Sequence, residues 1–219
     1  MIKLAKNRKV FVIGRNKTGT TSMGAFLAGL GYRLGDQSAG ELLFNDWTER
    51  KFSKIIRFCK SADAFQDIPF CLDYTYQILD HEFPDSRFIL TVRNTADEWF
   101  NSLLRFHANL IGNGRVPTVN EFKNFNYQGK GWLWNTHKIV FNVDDRLLYD
   151  KQHYINHYEL HNKRVKDYFK YKDNLLVVNI TDKSAVDNIC NFLGMVNKGY
   201  TMPHLMKSDE IIPLKGTTG

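Results

Sequence analysis

The 219-residue sequence predicts an α/β protein of three layers, a central parallel sheet of about five strands with helices on both faces. Three observations carry that prediction. Runs such as VFVI, FILTV and LLVVNI are almost continuously apolar, as strands covered on both faces require. Helical patterns fall between those runs, and strand–helix alternation implies right-handed crossovers. The first strand passes through a glycine-punctuated turn straight into a helix, in VFVIGRNKTGTTSMGAFLAGLG.

Taken in order, strands are expected at 10–14, 62–66, 88–92 and 175–180, with a weaker one near 32–34. Helices are expected at 20–30, 48–59, 72–83, 96–110, roughly 154–171, and 185–193. The segment 112–152 breaks this rhythm with glycines, asparagines, Pro117 and the aromatic cluster GKGWLW. It reads as an insertion folding over the sheet's carboxyl edge, where ligands bind in open α/β sheets. No repeat or linker interrupts the chain, so residues 1–219 are expected to form a single domain.

Composition narrows the class. Hydrophobic residues at 43% and charged residues at 24% suit a globular protein, and the net charge of +7 favours anionic partners. No arginine-rich tract or zinc-finger spacing accompanies that charge, so a small polyanion is expected rather than nucleic acid. The three cysteines, Cys59, Cys71 and Cys190, have neither metal spacing nor a disulfide pattern and read as reduced, buried thiols. The amino terminus lacks a signal peptide's apolar core and no run approaches transmembrane length, so a cytoplasmic address is expected.

The glycine turn is the most informative stretch. In G-x-x-x-x-G-K-[ST] loops, lysine follows the second glycine. Here Gly14 and Gly19 keep the spacing, Thr20 takes the lysine's place, and Lys17 lies inside the loop. A turn between strand and helix points backbone N–H groups inward, and the helix N-terminus adds roughly half a positive charge. Thr20, Thr21 and Ser22 add hydroxyl donors to this anion cradle.

The arrangement resembles the phosphosulfate-binding loop of sulfotransferases that use 3′-phosphoadenosine 5′-phosphosulfate (PAPS), enzymes of the P-loop NTPase-like fold. The resemblance implies that Arg15, Asn16, Lys17, Thr18, Gly19, Thr20, Thr21 and Ser22 hold the phosphosulfate, with Lys17 stabilising the leaving 5′-phosphate. The product would be adenosine 3′,5′-bisphosphate (PAP). A second stretch, RFILTVRNTADEWFNSLL, resembles the family's 3′-phosphate motif, in which arginine ends a strand and serine lies on the next helix. Arg93 matches. At the serine spacing this chain has Asn101, with Ser102 following, and either could donate. Where Walker-type enzymes end this strand in an aspartate associated with magnesium, this chain has Arg93, so no metal is expected.

A base must take the proton of an acceptor hydroxyl, and carboxylates or histidines at strand carboxyl ends are the candidates. ADAFQDIPF puts Asp67 just past a predicted strand, and its D-x-P, a helix and then PDSRFILTVR resemble the short-chain bacterial branch of the superfamily. Asp67 is the leading base, with a turn or cap role as its alternative, and His107 is the reserve. YELHNKRVKDYF, NLLVVNI and NICNFLG resemble the same branch, departing where it often has tryptophan and this chain has Val186. His153, His157 and His161 share a helix face without the acidic partner of H-E-x-x-H, which suits a polar face on the acceptor cleft better than a zinc site. LKGTTG at the end resembles a K-G-x-x-G element that touches the 3′-phosphate, with a flexible tail as its alternative.

A small-molecule or glycan acceptor is expected, with Tyr127, Trp132 and Trp134 offering stacking surfaces. The rival readings are a P-loop small-molecule or nucleoside kinase, which requires magnesium and a lysine after Gly19, and a non-catalytic nucleotide- or RNA-binding module.

Overall fold

The computed structural model describes residues 8–205, so the LKGTTG element lies outside the described residues. In chain order the elements are β1 (Val10–Val12), α1 (Thr20–Gly29), α2 (Gln37–Leu42), α3 (Phe44–Thr48), α4 (Phe52–Cys59), β2 (Ala64–Gln66), α5 (Thr75–Glu82) and β3 (Arg87–Thr91). They continue with α6 (Ala96–Leu110), α7 (Val119–Asn124), α8 (Trp132–Val140), α9 (Lys151–Tyr168), β4 (Leu175–Val178) and α10 (Ala185–Phe192). The described residues gather into two compact units, one of residues 8–94 and 160–205 and another of residues 95–159.

The first unit holds an all-parallel sheet of four strands in the order β2-β1-β3-β4. Alternation along β1 sends Val10 and Val12 to one face and Phe11 to the other. On the first face Val10, Val12, Ile89 and Val178 pack with Met23, Phe26 and Leu27 of α1 and Ala185, Ile189 and Cys190 of α10. On the second, Phe11 stacks on Phe65 and Phe88 with ring centroids 5.6 and 5.4 Å apart, and Phe88 meets Phe169 at 4.8 Å. Helices thus cover both faces, as the strand–helix alternation requires.

Several expectations need correction. The weak strand at 32–34 is a single parallel bridge, Leu34 to Ala64, so the sheet has four strands among the described residues and not five. Gly35 then donates to the Ala64 carbonyl and Asp36 caps α2 through the Ala39 N–H, which ends the extended run. Burial on both faces holds for β1 and for β3 beyond Arg87 but not for β4, an edge strand whose Val177 is exposed. The helix expected at 48–59 is interrupted, because Arg50 takes a left-handed conformation (φ 59°) between α3 and α4.

The second unit is helical. Thr95 caps α6 by accepting from Glu98 N–H, and acidic Asp97 and Glu98 occupy its first turn, where they complement the helix dipole. Trp99 lies flat on Tyr158 (4.5 Å, 8°), at the centre of a cluster with Phe100, Leu103, Phe141 and Tyr154. The unpatterned segment 112–152 contributes α7, opened by a reciprocal Thr118–Glu121 capping box, and α8. The cysteines are free and buried, and burial pushes the Cys59 and Cys71 thiols up to about 12. Among the described residues no helix is long and apolar enough to cross a membrane.

Candidate active site

The glycine turn leaves β1 at its carboxyl end and is held from two sides. Gly14 runs so close to β3 that a Cβ there would overlap Thr91, both its Oγ1 and its carbonyl oxygen. Thr18 Oγ1 donates to the Arg15 carbonyl at 2.6 Å and lies 2.6 Å from Thr91 Oγ1. Its single proton is thereby used, so the Thr91 hydroxyl is the donor of the second bond. Thr18 is fully buried, and its hydroxyl pins the turn from beneath.

Gly19 opens α1 in a left-handed conformation (φ 93°), and a Cβ there would strike Ile180. No side chain caps this helix. The amides of its first turn have no partner within the helix, the arrangement that draws an anion to a helix N-terminus. Thr20 is buried with its hydroxyl donated to Asp67 Oδ2 at 3.2 Å, while Thr21 is exposed. Ser22 turns away: its Oγ accepts from Leu205 N–H at 3.0 Å. Arg15 also points elsewhere, its Nη1 donating to the Cys71 carbonyl at 3.2 Å and its Nη2 lying 3.8 Å from Asp73 Oδ1. The side chains of Arg15, Thr18 and Ser22 thus make contacts within the protein that brace the loop.

Lys17 stands in the left-handed region (φ 67°), which turns the strand-to-helix corner at a non-glycine residue. Its carbonyl accepts from Arg93 Nε at 2.9 Å. The two cationic residues singled out in the sequence, on different strands, thus meet at one corner. Arg93 is half-buried just past β3, so the contact also ties the loop to the neighbouring strand.

Asp67 follows β2, itself in the left-handed region (φ 62°). Its carbonyl accepts from Cys71 N–H at 2.9 Å, so the backbone makes the expected turn while the carboxyl faces Thr20. Enclosure lifts that carboxyl to about 6, with the nearby Glu41 carboxylate adding to the rise and Thr20, Ile68 N–H and Lys17 opposing it. Glu41 escaped the sequence reading, although Asp36 before QSAGEL is a readable helix start.

The remaining expectations fall in the second unit or at its border. On α6, Asn101 is exposed and Ser102 is buried. His107 is 1% exposed, its Nδ1 3.1 Å from Tyr149 Oη, with the Phe122 and His137 rings around it. It is a core residue of its unit, which overturns its place as reserve base. His137 beside it is held neutral by burial, its ring pulled down to about 3. His153 Nε2 meets the Phe141 carbonyl at 2.6 Å, and His161 is buried against the Ile13 carbonyl. His153 and His161 thus each meet a backbone carbonyl. Among the described residues no group of His, Cys, Asp or Glu is arranged to hold a metal ion. Trp132 and Trp134 are partly buried in their unit's core, and Tyr127 is the exposed ring of that segment.

Residues 9–211 match the model of the sulfotransferase domain family. Among curated proteins, none matches the chain.

Proposed function

Because the chain belongs to the sulfotransferase domain family across nearly its whole length, we propose that it transfers a sulfonate from PAPS to an acceptor hydroxyl by in-line displacement. The single observation that carries the choice of donor is the bond from Arg93 Nε to the Lys17 carbonyl. It sets a guanidinium fork beside a glycine turn whose lysine sits within the loop, and such a fork suits an extra phosphate.

The donor supplies a sulfonate on a phosphate leaving group. The turn fits such a group: Gly14 and Gly19 leave no room for Cβ atoms, and the α1 N-terminus has no side-chain cap. In this reading the amides from Lys17 to Thr21 hold the phosphosulfate. The Lys17 ammonium meets the negative charge that develops on the departing 5′-phosphate oxygen, a contact that strengthens toward the transition state. Arg93 binds the 3′-phosphate, and Asn101 or Ser102 is the donor that the resemblance adds from α6.

Asp67 takes the acceptor proton as the hydroxyl oxygen attacks sulfur. A carboxyl lifted to about 6 is mostly ionised at neutral pH and basic enough to remove a proton. The hydrogen bond from Thr20 orients it at the mouth of the same loop. A guanidinium just past β3 disfavours a cation there, so the reaction is proposed to run without metal.

Calorimetry tests the donor. Adenosine 3′,5′-bisphosphate should bind tightly and ATP with magnesium weakly. ATP–magnesium binding as tight as the bisphosphate's overturns the reading in favour of a kinase.

A further inference from the structure

Beneath the glycine turn lies a polar network that the reaction itself does not use. His161, on α9, is 1% exposed and its Nε2 is 2.9 Å from the carbonyl oxygen of Ile13, 148 residues earlier. A carbonyl can only accept, so Nε2 carries the proton and the ring is the Nε2–H form. Ile13 is the last residue before Gly14, and its own N–H donates to the Ile89 carbonyl at 2.9 Å. The two peptide groups flanking the Ile13 Cα are thus both held, the preceding one by β3 and the following one by α9. Two residues later, Arg15 is drawn to the Cys71 carbonyl and toward Asp73.

Asp73 joins these groups. Its Oδ2 accepts from Arg164 Nη1 at 2.7 Å, and its Oδ1 lies 3.8 Å from Arg15 Nη2 and 3.9 Å from His161 Nδ1. Burial, aided by the Arg15 charge, pulls the His161 ring down to about 4. A neutral imidazole keeps one N–H, and that proton goes to Ile13.

We propose that His161 is a positioning residue for the anion-binding loop: its Nε2–H fixes the Ile13 carbonyl where β1 becomes the turn, and so sets the direction in which the loop amides point. The physical reason is leverage. Rotation of the Ile13–Gly14 peptide redirects the Gly14 N–H and the entry to the turn, upstream of the Thr18 and Arg93 contacts that hold its far side, and the α1 N-terminus has no side-chain cap. This inference rests on the proposed function for its catalytic consequence, but its geometric core does not.

Two amide substitutions separate the contacts of the ring. In His161→Gln the side-chain nitrogen falls near the Nε2 position and can still donate to Ile13. In His161→Asn it falls near the Nδ1 position and faces Asp73. Both are followed by amide NMR of residues 14–22, without and with adenosine 3′,5′-bisphosphate, and by turnover with labelled PAPS. His161→Asn is expected to shift the loop amides and to lower kcat about 100-fold, the usual consequence of a displacement of about 1 Å in a reacting site. His161→Gln is expected to keep the wild-type loop spectrum and turnover. The opposite order, or loop amides that move equally or not at all in both variants, overturns the inference. Because titration stoichiometry counts folded sites, partial unfolding lowers the stoichiometry and leaves the affinity of the folded fraction readable. A wild-type loop that ignores the bisphosphate overturns the proposed function instead, and the free-protein spectra still decide the role of His161.

Discussion

Asp67→Asn probes the proposed base in two currencies at once. Asn retains the oxygen that accepts from Thr20 and cannot ionise. Enclosure and the neighbouring Glu41 raise the Asp67 carboxyl from the ordinary 3.8 to about 6. Because the folded protein holds this proton more tightly than the unfolded chain, the native state loses stability as pH rises from about 4 to about 6. Below that window the carboxyl is neutral in both states and costs nothing. Above it, the full cost is about 3 kcal/mol at roughly 1.4 kcal/mol per pH unit, an upper figure because Asp67 keeps some solvent contact. Removing the charge should therefore stabilise the protein at neutral pH. At roughly 2–4 °C per kcal/mol for a chain of this size, Asp67→Asn should melt up to about 6–12 °C above wild type at pH 7.5 and close to it at about pH 3, below the window. Turnover should fall by about 10²–10⁴-fold. In wild type, kcat/KM should rise with pH through a limb centred near 6, and the variant's residual rate should lack that limb. Melting curves at the two pH values and a donor-saturated rate assay check this. A melting difference independent of pH, or undiminished turnover, refutes the reasoning.

Two further predictions follow from the loop. Lys17→Ala should lower kcat about 10²–10³-fold while calorimetry shows bisphosphate affinity changing far less, because the ammonium acts mainly on charge that develops during transfer; equal losses in both would assign Lys17 to ground-state binding. Gly14→Ala should cost about 1–3 kcal/mol in a melting experiment through overlap with β3. Adding Thr91→Ala should not restore it, because the Thr91 carbonyl obstructs the same space, and full recovery in the double variant would show the side chain to be the whole obstacle.

Legibility varied along the chain for physical reasons. Helix 96–110 is readable to the residue, because Thr95, Asp97 and Glu98 form a start signal and the apolar period continues behind it. The 48–59 helix misleads, since apolar spacing does not reveal that Arg50 turns left-handed and separates two short helices. In 112–152 the glycines and asparagines masked α7 and α8, although Thr118-x-x-Glu121 was a capping box in plain view. His107 looked available because a sequence shows its helix but not the Tyr149, His137 and Phe122 side chains around it.

By itself the sequence determined the strand–turn–helix with its displaced lysine, the parallel alternation and the family, since each rests on spacing over a few residues or on apolar runs that only buried strands tolerate. The tertiary structure alone decided which loop side chains brace and which remain for an anion, that Arg93 meets Lys17, that Glu41 lifts Asp67, and that His161 holds Ile13. Those pairings join residues up to 148 positions apart, and nothing in a local pattern encodes which distant donor reaches a given carbonyl. That is settled only when the packed strands and helices bring them within 3 Å or so, the reach of a hydrogen bond.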